Sequence, residues 1–462
     1  TEDNLRIRDQ GTGVGEIGVS GTSVTFGGIV IGTVTSDGAN GASLEIMLNV
    51  NADRQAVEAL LENITYENPS NDPIEDVQLA ILLEDGDGGA SSPVQVNITV
   101  IPETDAPGPV FDSDIQVNSF TNSTQFQPAI AALDDGGWVV MWESFGQDNP
   151  FVNDYGIIGQ RYDESGIPVS GEFLVNTQVS GSQSQVDVAA ISGGPNVGGF
   201  VATWYDPGDS GLLYVKAQVF DANSQPVGGE ISVPTTSIST NQFPSVATFA
   251  DGSFVIAWAS WQGTNGYDIA FQTFDASGAP TGTEIIANSL VTNEQTLPEV
   301  VVLADGNIAL TWRTFDASGS NTQDIATRVF QPDGTPVSAE NLVNSSTAGN
   351  QTNPDIAALD GGGYVVVWQD QIGLDGSSFG VFAQVLDASG SPVGGEFLVN
   401  EETSSQQGEP VVSALPGGGF AISYYTIASA FGGTYEVVVQ NYDGAGNRID
   451  CEIVVNQDTA GN

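Results

Sequence analysis

The chain has 462 residues, enough for two or three domains with sizeable cores. Its 8 Lys and Arg against 58 Asp and Glu give a formal charge of -50, which argues against nucleic acid or an anionic membrane as a partner and makes cations the natural counter-ligands. Charged residues are only 14 % and hydrophobic ones 40 %, so the acidity is not that of a disordered tail.

Residues 1–107 read as a β domain, with short strands at "VTFGGIVIGTV", "SLEIMLNV", "VQLAILLED" and "VQVNITVI". In "NADRQAVEALLENITYEN", Val57, Leu60, Leu61 and Ile64 fall at i, i+3, i+4 and i+7, which predicts one short amphipathic helix after Asn51. "PETDAPGP" at 102–109 is a Pro-rich linker. "GTGVG" at 11–15 lacks the strand-to-helix setting of a phosphate loop and reads as a plain loop.

From residue 108 the text repeats. "FPSVATFADGSFVIAWAS" at 243–260 returns as "NPDIAALDGGGYVVVWQD" at 353–370, and six copies place Trp142, Trp204, Trp258, Trp312, Trp368 and Tyr424 at intervals of 62, 54, 54, 56 and 56. A period near 56 with several short strands per unit indicates a propeller or array. Each unit reads as four strands A to D, with tight Asp-Gly or Gly-Gly turns from A to B and D-x-x-G turns from C to D. Sheets apolar on both faces must stack on one another, so 108–462 is expected to form a six-bladed β-propeller. A seventh D-like stretch, "VFDSDIQVN" at 110–118, lets one terminal strand close the ring and leaves the other surplus.

A column of Gln160, Gln218, Gln272, Arg328, Gln384 and Gln440 predicts one repeated hydrogen bond. The B to C loops carry Phe145, Tyr205, Trp261, Tyr267, Phe315, Phe379 and Phe431, candidates for gripping a sugar ring or a protein edge. Calcium needs six to eight oxygen ligands, which "LEDGDGG" (Glu84, Asp85, Asp87), the linker acids Glu103 and Asp105, "GQDNPFVNDYG" (Asp148, Asp154) and "QDQIGLDGSS" (Asp370, Asp375) offer. A turn or solvated loop is the competing reading of each.

The chain has no His, so neither triad nor imidazole base chemistry is available, and "PGDSG" at 207–211 reads as a turn. Paired carboxylates still permit a glycosidase. The single Cys451 allows no internal disulfide and reads as a small hydrophobe beside a strand. No run of 18 apolar residues occurs, and the opening "TEDNLRIRD" lacks Met and a signal peptide, which suggests a soluble segment of something longer, with no membrane insertion.

The stretches "EALLENITYENPSNDP", "LLEDGDGGASSPVQVNITV" and "TDAP" resemble cadherin-like domains of giant secreted bacterial proteins of the RTX adhesin type. "QTNPDIAALDGGGYVVVWQD" with "AQVLDASGSPVGGEFLVN" is similar to repeats in the same class of surface protein, although the G-G-x-G-x-D nonapeptide is absent. The resemblance implies an all-β chain, a cadherin-like or Ig-like β-sandwich at 1–107 followed by the propeller. It also implies an extracellular, calcium-rich cell-surface setting. On this reading the protein is non-enzymatic, serving adhesion or filament assembly, with other subunits, copies of itself or glycans as partners. The alternative is a carbohydrate-active propeller using a carboxylate pair.

Overall fold

The structure, a computed structural model, describes residues 4–8, 11–67 without 12, 14, 16 and 38–42, then 76–81, 94–99 and 115–456. Within the last range 149–153, 208–211, 234–239, 264–265, 292, 316–321, 377–378, 404, 429–433 and 450 are not described. The chain divides into two units, Thr1–Gly108 and Pro109–Asn462.

The first unit runs β1 (Asn4–Ile7), β2 (Ile17–Ser20), β3 (Ser23–Phe26), β4 (Ile29–Asp37), β5 (Leu44–Leu48), α1 (Arg54–Glu62), β6 (Ile64–Glu67), β7 (Asp76–Ile81) and β8 (Val94–Thr99). Strands β2 to β5 form one sheet in sequence order, β1 pairs with β6, and β7 pairs with β8. The helix buries Ala56 and Leu60 against Ile17, Val24 and Ile31. Its cap is Asp53, whose Oδ1 accepts the Ala56 N–H at 2.9 Å, two residues later than expected. Asn51 instead donates its Nδ2 to the Val30 carbonyl, and Ile64 opens β6 rather than closing the helix. Local strand pairing outweighs the i+7 pattern there.

The second unit holds six four-stranded antiparallel sheets, each in sequence order. The first contains β9 (Gln125–Ala132), β10 (Trp138–Phe145), β11 (Tyr155–Tyr162) and β12 (Phe173–Leu174). The second contains β13 (Ser184–Ala190), β14 (Phe200–Asp206), β15 (Tyr214–Phe220) and β16 (Pro226–Ser232). The third contains β17 (Asn241–Thr248), β18 (Phe254–Trp261), β19 (Tyr267–Phe274) and β20 (Ile285–Ile286). The fourth contains β21 (Gln295–Val302), β22 (Ile308–Phe315), β23 (Gln323–Phe330) and β24 (Asn341–Leu342). The fifth contains β25 (Gln351–Ala358), β26 (Tyr364–Asp370), β27 (Gly380–Leu386) and β28 (Pro392–Leu398). The sixth contains β29 (Gln407–Ala414), β30 (Phe420–Ala428), β31 (Thr434–Tyr442) and β32 (Ile453–Val454).

The turns form for the reasons their residues suggest. Gly252 in the A to B turn of the third sheet has φ +84°, and a Cβ there would lie 2.5 Å from the Gly193 carbonyl oxygen, so both conformation and space require Gly. In the C to D turns the Asp carboxylate accepts two backbone N–H groups, as Asp387 does from Ser389 and Ser391 at 2.9 Å, and these bonds with the Ser389 hydroxyl hold its pKa below the usual range. The Gln column tethers strand C to the approach to strand D: Gln218 Nε2 donates to the Val227 carbonyl at 3.1 Å, Gln272 to Gly282 at 2.8 Å, and Arg328 Nε takes the same part toward Ser338.

Stacking is through the aromatic column. Trp204, Trp258, Trp312, Trp368 and Tyr424 each pack against the sheet before their own, giving five cores between successive sheets. Trp142 of the first sheet packs with Val140 and Ile158 against Val117 of the segment that precedes it. Among the described residues no core joins the sixth sheet to the first. Tyr435 and Val437, on the outward face of the sixth sheet, are 49 % and 43 % exposed. No helix among the described residues is long and apolar enough to cross a membrane.

Candidate functional site

The first strand of every sheet in the second unit carries the same irregularity. Gln127, Gln185, Phe243, Leu297, Asn353 and Glu409 have φ between +49° and +56°, a left-handed conformation that costs an L-residue roughly 1 kcal/mol or more. At each the register with the second strand slips, so that Thr296 faces Arg313 and the next paired residue is Glu299, opposite Thr311. This is a β-bulge. In five of the six sheets Pro follows the strained residue. Lacking an N–H, Pro suits a place where the ladder is already broken.

The bulge re-aims the residue two positions on: Ala129, Asp187, Ser245, Glu299, Asp355 and Val411. Three of the four polar ones clip their sheet to the next, while Glu299 bonds back to Ser245 of the third sheet. Asp187 Oδ2 accepts the Val246 N–H at 2.8 Å, Ser245 Oγ accepts that of Val300 at 3.2 Å, and Asp355 Oδ2 accepts that of Val412 at 2.7 Å. Asp187 and Asp355 also accept the N–H of the residue that follows each.

Three of the six are carboxylates, and they interact although they stand on the second, fourth and fifth sheets. Each retains some accessible surface, yet protein crowds it from every side, and that crowding governs its proton affinity. Burial pushes Asp187 up to about 6 against the bonds from Val246, Val188 and Ser245. Burial also pushes Asp355 up to about 7, with the Asp187 charge adding to the rise. Glu299 lies well above the ordinary range through burial first, then the charges of Asp355 and Asp187. Asp187 therefore lies near enough to Glu299 and Asp355 for its charge to oppose their ionisation, although the third sheet stands between the second and the fourth. On the same face of the fourth sheet Arg313 donates to Thr296 Oγ1 at 2.8 Å and to Thr352 Oγ1 of the fifth sheet at 3.3 Å, with burial lowering its pKa.

The candidates named from sequence are placed differently. Phe145 ends β10 and meets Tyr155 edge-on at 5.0 Å, and Trp261 meets Tyr267 in the same way. Tyr205 lies within β14, Phe315 ends β22 beneath the Arg313 guanidinium at 5.7 Å, and Phe379 immediately precedes β27. These aromatics therefore belong to strand ends. Phe431 lies outside the described residues. Of the expected calcium ligands, Glu84, Asp85, Asp87, Glu103 and Asp105 lie outside them too, as does most of the 207–211 turn. Asp154 is buried, its Oδ2 accepting the Gly181 N–H. Asp370, wholly buried, accepts from Ile372, Leu374 and Gln351, and Asp375 accepts from Asn400. Among the described residues no three Asp or Glu side chains are grouped as a metal site.

The axial carboxylates are the residues that sequence reasoning missed. Their signal was present as a chemically variable letter directly after a recurring Pro: "QPA", "QVD", "FPS", "LPE", "NPD", "EPV", where only the second has Val for Pro.

No family model matches the chain, and no curated protein matches it. Solved structures resemble the chain over about 70 % of its length. An α-L-arabinofuranosidase of Fusarium graminearum is 13 % identical, with a TM-score of 0.49 over 70 % of this chain and 95 % of that one. An α-L-arabinanase of Penicillium chrysogenum is 14 % identical at TM-score 0.44, over 70 % and 91 %. A Dyadobacter fermentans protein of unknown function is 12 % identical at 0.45, over 68 % and 93 %. The expectation of a non-enzymatic protein for adhesion, of RTX type and filament-forming, is corrected to this extent: the structures named here with a stated activity are glycoside hydrolases, not adhesins. The absence of His, which weighed against an enzyme, does not bear on chemistry that carboxylates perform alone.

Proposed function

We propose that the second unit is a six-bladed, carbohydrate-active propeller that cleaves glycosidic bonds with the axial carboxylates. The observation that carries this reading is the trio Asp187, Glu299 and Asp355, held at one register of the first strands with proton affinities driven apart. Glycoside hydrolysis requires a carboxylic acid that keeps its proton near neutral pH and a carboxylate that does not. Glu299, the most strongly raised, is the proton donor to the leaving oxygen. Asp187, the first to ionise, is the base that takes a proton from the water attacking the sugar carbon, so the glycosyl group passes to water as the leaving oxygen takes the Glu299 proton. Asp355 sets the balance by repelling both, so the apparent values belong to the trio rather than to any member. Arg313 and the strand-end aromatics Phe315 and Trp261 offer a cation and ring faces to a sugar. The first unit is read as a cadherin-like accessory β-sandwich, on the strength of its sequence resemblance.

The test is a panel of aryl glycosides, the α-L-arabinofuranoside included, together with arabino-oligosaccharides. Cleavage by the native chain that falls about 100-fold or more in Glu299→Gln supports the proposal. Cleavage unaffected by Glu299→Gln and by Asp187→Asn would sink it.

A further inference from the structure

The end of the fourth strand in most sheets of the second unit follows one bonding pattern. Asn176, Asn288, Asn344 and Asn400 accept at Oδ1 the N–H of Ile157, Ile269, Ile325 and Val381 in the third strand of their own sheet. Each donates its Nδ2 to the carbonyl two residues on. The preceding residue, Val175, Ala287, Val343 or Val399, is 5 % exposed or less. The following N–H donates to a Glu of the next sheet: Thr177 to Glu230, Ser289 to Glu340, Ser345 to Glu396 and Glu401 to Glu452.

Residues 115–118 and 453–456 divide this pattern between them. Asn118 donates Nδ2 to the Phe120 carbonyl at 2.8 Å and to Gln125, the Ser119 N–H donates to Glu172 of the first sheet, and Tyr162 donates to the Val117 carbonyl as Tyr442 does to Val399. What it lacks among the described contacts is a third strand to bond at Oδ1. Residues 453–456 have that bond, Asn456 Oδ1 accepting the Val437 N–H at 2.7 Å, and Val438 faces Val454 in the ladder. They lack the seat: Ile453, Val454 and Val455 are 50 %, 52 % and 49 % exposed.

We infer that the outer edge of β31 is the docking surface for residues 115–118, and that β32 occupies it only until that segment replaces it. In the closed ring Gln116 stands opposite Val438 and Ile115 opposite Val439, with Asn118 Oδ1 accepting the Val437 N–H. One strand then makes every bond of the pattern, and the sixth sheet comes to cover Trp142 and Val140. The occupant is argued from continuity: 115–118 already holds the first sheet as each fourth strand holds its successor, and its text "IQVN" matches "IVVN" letter for letter except once. Residues 453–456 are then free to leave, while Glu452 keeps the Glu401 N–H.

The experiment uses the full chain with Cys451→Ser as background. Gln116→Cys with Val438→Cys is compared with Val438→Cys with Val454→Cys in a glutathione redox buffer. The inference expects the first pair to cross-link in the greater yield, and a chain ending at Glu452 to keep its melting temperature within about 2 °C. Greater yield in the second pair, or a loss of more than about 5 °C on truncation, overturns it. Neither readout depends on glycan cleavage, so its failure is separable from that of the proposed activity.

Discussion

Glu299 and Asp187 stand two sheets apart, yet the charge of one opposes ionisation of the other. Ser245 holds the equivalent place on the third sheet between them, and its Oγ accepts the Val300 N–H of the fourth sheet. The pair is thus held by backbone on a shared frame.

A pH–rate profile follows from that frame. Activity should rise as Asp187 ionises near 6 and fall when the remaining acid of the trio loses its proton, giving a bell whose upper limb lies above about 7. Asp355→Asn removes one of the charges that raise Glu299 and should move the upper limb toward lower pH. A profile unmoved by Asp355→Asn counts against coupling.

Stability carries the opposite signature to that of a salt-bridged acid. All three carboxyls bind protons more tightly folded than unfolded, so their contribution is complete below the ordinary carboxylate range near 4, and that of Asp187 and Asp355 is lost as pH climbs through about 6 and about 7, while that of Glu299 persists to higher pH. Melting temperature should fall across that window. Glu299→Gln should flatten part of the fall and raise the melting temperature at pH 8, by scanning calorimetry.

The buried amides predict a contrast. Asn344→Ala leaves the Ile325 N–H and the Ser346 carbonyl without partners in a site 5 % exposed, and should cost about 1–3 kcal/mol in denaturant unfolding. Asn456→Ala, at a half-buried position with water at hand, should cost well under 1 kcal/mol.

Trp258 is wholly buried, and its Nε1–H has no hydrogen-bond partner among the described residues. Trp258→Phe removes that orphan while leaving much of the ring area, so it should cost less than the roughly 3–5 kcal/mol expected of Trp258→Ala. Equal losses for the two would show that the indole N–H is not a burden.

The repeat was legible because its apolar and aromatic letters recur at a fixed spacing and its turns are written in Asp and Gly, whose backbone preferences act locally. The Gln column was legible too, since a buried amide repeated at one place must repeat its partner. The bulge was not. A left-handed Leu297 or Phe243 contradicts local preference and is imposed by sheets packing on both sides. The strand β25 starts at Gln351, ahead of the strained Asn353 and of Pro354, two residues that locally disfavour an unbroken strand. The carboxylates therefore stayed among 58 acids with nothing to rank them. Whether the ends join could not be read either, because two stretches carry the same strand text.

The strained residue of each first strand sets the backbone path whichever side chain follows two places later, and the six sheets tolerate Ala129, Asp187, Ser245, Glu299, Asp355 and Val411 there without altering their hydrogen-bond ladder. Each sheet thus contributes a socket to the axis whose chemistry can be exchanged independently of folding. A scaffold of this kind can acquire or discard a reaction by changing three letters.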